Sequence, residues 1–192
     1  MKFTLWLLTA VVLMVGMNGC SGNVVHMEEG AKDAVISAPK ADESKIVFMR
    51  TGVYGVAKQT SVFEIVDENP KLVGILASGK KLVYTTTPGK HTFMAVGSGL
   101  DSTLMSTTLK KNKMYYVEVD IVGGIWSVAD VVFVPMTDKA DIKSMLDDCQ
   151  LVKLNDESQK WADENAEDIK NNYLAAKETW LDTDLEDRVI IK

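Results

Sequence analysis

The chain of 192 residues is poor in the residue types that mark metal sites and hydrolytic centres. It has two histidines, His26 and His91, and two cysteines, Cys20 and Cys149. His26 falls in a stretch without periodicity, so it carries no catalytic expectation. His91 is the single histidine of the remaining chain, and a metal site or a hydrolytic dyad needs partners that the sequence does not place beside it. No CxxC, HExxH or GxSxG pattern occurs, and Gly97-Ser98-Gly99 lacks the lysine and serine of a phosphate loop. Basic charge is also scarce: 21 Lys and Arg stand against 27 Asp and Glu. A nucleic-acid partner needs a basic footprint, which excludes that class. The surplus is local. Residues 20–137 hold 12 acidic and 12 basic residues, whereas residues 138–192 hold 15 acidic and 8 basic. The acidic end disfavours direct contact with anionic lipid headgroups. No cofactor and no metal are expected.

What the chain does have is a marked N-terminus. Lys2 precedes a mostly apolar stretch from Phe3 to Met17, a basic region followed by the apolar region of a secretory signal. That stretch is short for a permanent spanning helix, which needs roughly 18 or more apolar residues. It ends on Met17-Asn18-Gly19-Cys20, and the chain then turns polar. A small residue before a cysteine at this position resembles the lipobox of bacterial lipoproteins. The resemblance implies cleavage between Gly19 and Cys20, a diacylglycerol on the Cys20 sulfur and acylation, for example by palmitate, of the new amino group. Two or more acyl chains hold a protein firmly, at about 0.8 kcal/mol per buried methylene. Ser21 stands where a retention signal for the inner membrane would place aspartate. By that sorting rule the destination is the outer membrane, facing the periplasm, in a Gram-negative host. With Cys20 lipidated, Cys149 is left alone and no internal disulfide can form.

Residues 20–44 mix Gly, Ala, Ser and charge without a sustained period and read as the lipidated cysteine and a flexible tether, with a typical reach of roughly 27 Å. Residues 45–136 read as β structure. Runs at 45–51, 61–67, 71–76, 81–96, 102–109, 113–122 and 125–136 give about seven short strands, with 81–96 broken at Thr87-Pro88-Gly89-Lys90. Proline then glycine at the centre of that break fits a type II turn. A turn is expected at Glu68-Asn69-Pro70, and Asn112 is expected to take a left-handed conformation in the Lys110-Lys111-Asn112 loop. Spacing of this kind predicts an antiparallel sandwich or barrel. Val47-Phe48-Met49-Arg50, Val66-Asp67 with Val73-Gly74, the Pro88-Gly89-Lys90-His91 turn and Tyr115-Tyr116-Val117 together resemble a family of bacterial lipoproteins carrying a domain of unknown function. The resemblance covers about residues 45–134 and implies a small β-sandwich, PEGA-like in style, with no assigned biochemical role.

After Pro135 the period changes from 2 to 3.6. Ile142, Met145, Leu146 and Cys149 form one stripe of a short helix over 138–149, which makes Cys149 a packed small hydrophobe. A second helix over 157–181, about 37 Å long at 1.5 Å per residue, is expected from Asp156 and Gln159 in capping-box spacing. Its apolar stripe is Trp161, Ile169, Tyr173, Ala176 and Trp180, with Asn165 interrupting it. Trp161, Tyr173 and Trp180 are the candidate interaction residues, and the acidic opposite face is a candidate docking surface for a basic partner.

The expected class is therefore mainly β with C-terminal helices (α+β). The expected organisation is a signal peptide at 1–19, a tether at 20–44, a β-sandwich domain at 45–136 and a helical segment at 137–192. The expected function is a non-catalytic, lipid-anchored protein of the cell envelope that binds or scaffolds, with the membrane through Cys20 and an envelope protein as partners. A small-molecule or lipid carrier with a cavity between its sheets is the first alternative. An enzyme using His91 with a carboxylate from the helices is the second.

Overall fold

The computed structural model describes residues 24–52, 58–97, 99, 101–123, 129–184, 186 and 188–191. In chain order the elements are β1 (Glu28–Glu29), β2 (Ser44–Arg50), β3 (Thr60–Val66), β4 (Asn69–Leu76), β5 (Lys80–Thr86), β6 (Gly89–Gly97), β7 (Thr103–Leu109), β8 (Lys113–Val122), β9 (Asp130–Met136), α1 (Lys139–Asp148), β10 (Gln150–Lys153), α2 (Asp156–Glu164), α3 (Ala166–Asp182) and β11 (Ile190–Ile191). The chain is mainly β, with two sheets and three helices among the described residues. The larger sheet runs β1-β10-β5-β2-β8-β9, and the smaller runs β11-β7-β6-β3-β4.

The turns follow their residues. Asp67 and Glu68 take φ of 48° and 64°, so the β3–β4 hairpin closes through two left-handed residues, the geometry that matches strand twist. The turn therefore sits one residue earlier than expected, and Asn69 and Pro70 already belong to β4. Gly89 takes φ 141°, which a side chain would resist, and it opens β6 directly after Pro88. Asn112 takes φ 56°, the left-handed conformation its sequence context predicts.

Side chains of both sheets enter one core. Phe48 of β2 meets Phe93 of β6 edge-on, with ring centroids 5.4 Å apart, and Phe133 of β9 lies 6.1 Å from Phe48. Strand β2 is buried along its whole length, because its second face is covered too. There Val47 and Met49 pack against Met145 and Cys149 of α1, with Ile36 and Leu146 at the margin. The stripe predicted for α1 is thus the one it buries. Asp138 caps the helix, its side chain accepting from the amides of Ala140 and Asp141. Lys81, buried on β5, donates to the Leu146 carbonyl at 2.6 Å and so satisfies an orphan acceptor in the last turn of α1.

Four features differ from expectation, each for a physical reason. Eight strands, β2–β9, occupy the span where about seven were expected, and three more among the described residues, β1, β10 and β11, lie outside it, where short strands carry no periodicity of their own. The pairing is not purely antiparallel: β2 with β8, β10 with β5 and β11 with β7 are parallel. Alternation shows that a strand has two faces, and says nothing about which neighbour it takes. The long second helix is two helices, α2 and α3, joined at Asn165, whose side chain donates to the Trp161 carbonyl. The capping box lies one residue upstream, with Asn155 accepting from Ser158 and the Ser158 hydroxyl accepting from the Asn155 amide.

Strands from outside residues 45–136 pair with one another and with strands of that span. Residues 28–29 pair with β10, β10 follows α1 and pairs with β5, and β11 pairs with β7. Residues 24–30 of the segment read as a tether are docked. Met27 is buried, Val24 packs against the core, the Gly30 amide donates to Leu151 O at 2.8 Å, and Lys80 reaches Glu29 at 2.5 Å.

Candidate functional site

His91 lies at one end of the inter-sheet core and has acquired partners that the sequence did not reveal. Its Nδ1 faces Glu64 Oε1 at 2.5 Å, and its Nε2 donates to the Thr87 carbonyl at 2.8 Å. The other Glu64 oxygen accepts from the Tyr84 hydroxyl. Burial, then the hydrogen bond to Glu64, pushes the Tyr84 phenol well above its ordinary value. The carboxylate beside His91 comes from β3, not from the helices. Both ring nitrogens are engaged, neither with a lone pair turned outward. The group joins β3, β5 and β6 as a hydrogen-bonded strut. Its members were invisible as a set because they lie 20 and 27 residues apart in the chain. The one signal was alternation, which places Glu64 on the Val62 face of β3.

Cys149 is fully buried, and desolvation raises its thiol to about 11, with the Lys81 ammonium opposing; the thiol faces the Arg50 carbonyl oxygen at 3.9 Å. A thiol in this state is a poor nucleophile. Among the described residues, no group of three or more His, Cys, Asp and Glu is placed to hold a metal ion, and no helix is long and apolar enough to cross a membrane. Gly19 and Cys20 lie outside the described residues.

The three candidate aromatic residues are engaged within the protein to different degrees. Tyr173 is buried, and its hydroxyl donates to Glu68 at 2.9 Å, where Lys177 also binds. That pair of contacts, with Lys170 donating to the Glu68 carbonyl, straps α3 to the β3–β4 turn and holds the Glu68 carboxyl below its usual range. Trp180 is half-buried beneath the Arg188 guanidinium, 5.4 Å from its ring. Trp161 is half-buried and stacks on His26 with ring centroids 6.3 Å apart.

Trp161 and His26 stand at a cleft of about 560 Å³ between the smaller sheet and the helices α2 and α3. The floor is apolar: Phe63, Ile75 and Val96 come from the sheet and Ile169 from α3. The sides are largely amide: Gln59, Asn165 and Asn172, with Asp168 exposed on the rim. The docked N-terminal segment lines one end of the cleft. Gln59 accepts from the Val25 amide at 3.1 Å, and Ser158 donates its hydroxyl to the His26 carbonyl. His26 takes φ 59°, so the chain bends sharply there. A concave site with an apolar floor and a few polar groups at its margin is the usual form of a small-molecule site. The sequence pointed to Trp161 alone. Val25, His26 and Gln59 were missed because two of them lay in a segment read as unstructured. The space between the sheets, where the alternative carrier reading would place a cavity, is occupied at the Phe48–Phe93 contact. A second cleft, of about 480 Å³, lies on the outer face of the larger sheet beside Lys81 and Tyr116.

No protein-family model matches the chain, and no curated protein matches it.

Proposed function

We propose that the protein is a lipid-anchored, non-catalytic module of the cell envelope that binds a ligand or partner close to the membrane surface. The observation that carries this reading is the docking of residues 24–30. Val24 packs on the core, and it lies four residues along the chain from Cys20, with only Ser21, Gly22 and Asn23 between them. Four extended residues span at most about 14 Å. An acylated Cys20 would therefore hold the body directly against the headgroups, with the helix–sheet cleft, whose mouth carries Val25, turned to the bilayer. The lipobox-like segment supports the anchor, and Ser21 supports an outer-membrane address in a Gram-negative host. The Phe48–Phe93 contact supports reading the β region as a sandwich, in keeping with its resemblance to bacterial lipoproteins of unassigned role. The engagement of both His91 nitrogens supports binding over turnover.

The test is a Cys20→Ser variant expressed beside the natural chain in a bacterial host. Palmitate labelling and membrane fractionation should follow the natural chain only. Labelling that persists in the variant, or a natural chain recovered unlabelled in the soluble fraction, contradicts the proposal.

A carrier is the second reading, and the cleft favours it. Native mass spectrometry of the purified protein should then show a reproducible bound small molecule, whereas a scaffold is recovered empty.

A further inference from the structure

Resting on the reading of an anchored binding module, we propose that the helix–sheet cleft takes the acyl chain of an amphiphile whose headgroup carries no net negative charge, in chemical class a monoacylglycerol. The floor of Phe63, Ile75, Val96 and Ile169 is apolar, with the Ser61 hydroxyl of β3 beside it, so an aliphatic chain entering there covers one hydroxyl and otherwise meets hydrocarbon. A volume of about 560 Å³ lies in the range of small-molecule sites, which runs from roughly 300 to 1,000 Å³. The margin selects the head. Gln59, Asn165 and Asn172 present amides suited to hydroxyl and ester groups. Among the described residues no lysine or arginine lines the cleft, and the one carboxylate that does, Asp168, stands exposed at the rim. A fatty-acid carboxylate or a phosphate monoester would lie beside Asp168 without a counterion, and like charges at close range disfavour binding. Val25, 49 % exposed at the mouth, leads back to Cys20, so a molecule leaving the bilayer meets the mouth first.

The experiment uses the full-length expressed, membrane-extracted protein in phosphatidylcholine nanodiscs. The probe is a monoacylglycerol carrying a diazirine in its acyl chain, with crosslinked peptides mapped by mass spectrometry. Saturable labelling should fall on α3 around Ile169 and on the β3 and β6 residues of the floor. Unlabelled 1-dodecanoylglycerol should compete, and dodecanoate should compete about tenfold less well. Asp168→Lys, on the exposed rim, should reverse that preference, and Val96→Trp should block labelling by filling the floor. Circular dichroism establishes whether Val96→Trp folds, and the rim variant decides the matter if it does not. Labelling absent from the cleft, equal competition by dodecanoate, a preference unmoved by Asp168→Lys, or labelling retained in a folded Val96→Trp would each overturn the assignment. Cys20 acylated with the cleft unlabelled overturns the ligand alone and leaves the anchored module standing.

Discussion

Cys149 gives the packing of α1 on the larger sheet a quantitative signature. The thiol is fully buried among Val47, Met49 and Met145, and burial raises its pKa from 9.0 to about 11. The folded state therefore holds the proton more tightly than the unfolded chain. This contribution to stability is fully present below pH 9 and is lost as pH rises through 11. Two pKa units correspond to about 2–3 kcal/mol, with a slope near 1.4 kcal/mol per pH unit inside the window. Urea unfolding of the natural chain and of Cys149→Ala, followed from pH 7.5 to 10.5 under reducing conditions, isolates it. Tyr84, whose phenol is raised by burial, is present in both proteins and cancels on subtraction, whereas Lys81, whose ammonium is lowered by burial, interacts with Cys149 and contributes to the difference through that contact. The alanine variant carries a pH-independent loss of packing. Above pH 9 the stability difference between the two proteins should move by about 2 kcal/mol in favour of the variant by pH 10.5. Iodoacetamide should leave the folded natural chain unmodified at Cys149 at pH 8. A difference that stays flat to pH 10.5, or rapid alkylation of the native protein, would refute the buried-thiol argument.

Other elements of the fold make their own predictions. His91→Ala leaves the buried Glu64 carboxylate with Tyr84 as its remaining partner and should cost about 3–5 kcal/mol in urea unfolding; replacing Glu64 by Met as well should recover part of that loss, and a cost under about 1 kcal/mol denies the strut. Phe48→Ala removes the ring between the two sheets and should cost about 3–5 kcal/mol by the same assay. Asn155→Ala removes the capping box of α2 and should lower stability by about 1 kcal/mol in thermal unfolding, with no change in the far-ultraviolet spectrum below the transition.

The parts of this fold that sequence shows are those fixed within a few neighbouring residues. The strands at 61–67 and 113–122, the left-handed Asn112, and the face that α1 buries through Met145 and Cys149 all follow from local periodicity or turn chemistry. What the sequence hides depends on distant pairing. Gln150–Lys153 is a strand because β5 offers its edge, and Glu28–Glu29 is one because β10 then offers its own. Residues 24–30 lack a period because they dock by single contacts, Met27 and Gly30 among them, and composition mistakes such docking for freedom. The break at Asn165 was visible as an interruption of the apolar stripe, yet only the fold shows that it separates two helices. The cleft was the least legible feature. It needs Val25, Gln59, Val96 and Ile169 together, from four segments whose meeting is set by the sheet order.

The proposed covalent lipid on Cys20 is tested most directly by the intact mass of the protein extracted from membranes, with its N-terminal peptide sequenced. A chain that begins at Cys20 and carries the added mass of a diacylglycerol, with or without a third acyl group, is the result expected. A chain that begins at another residue, or at Cys20 with its thiol unmodified, contradicts it.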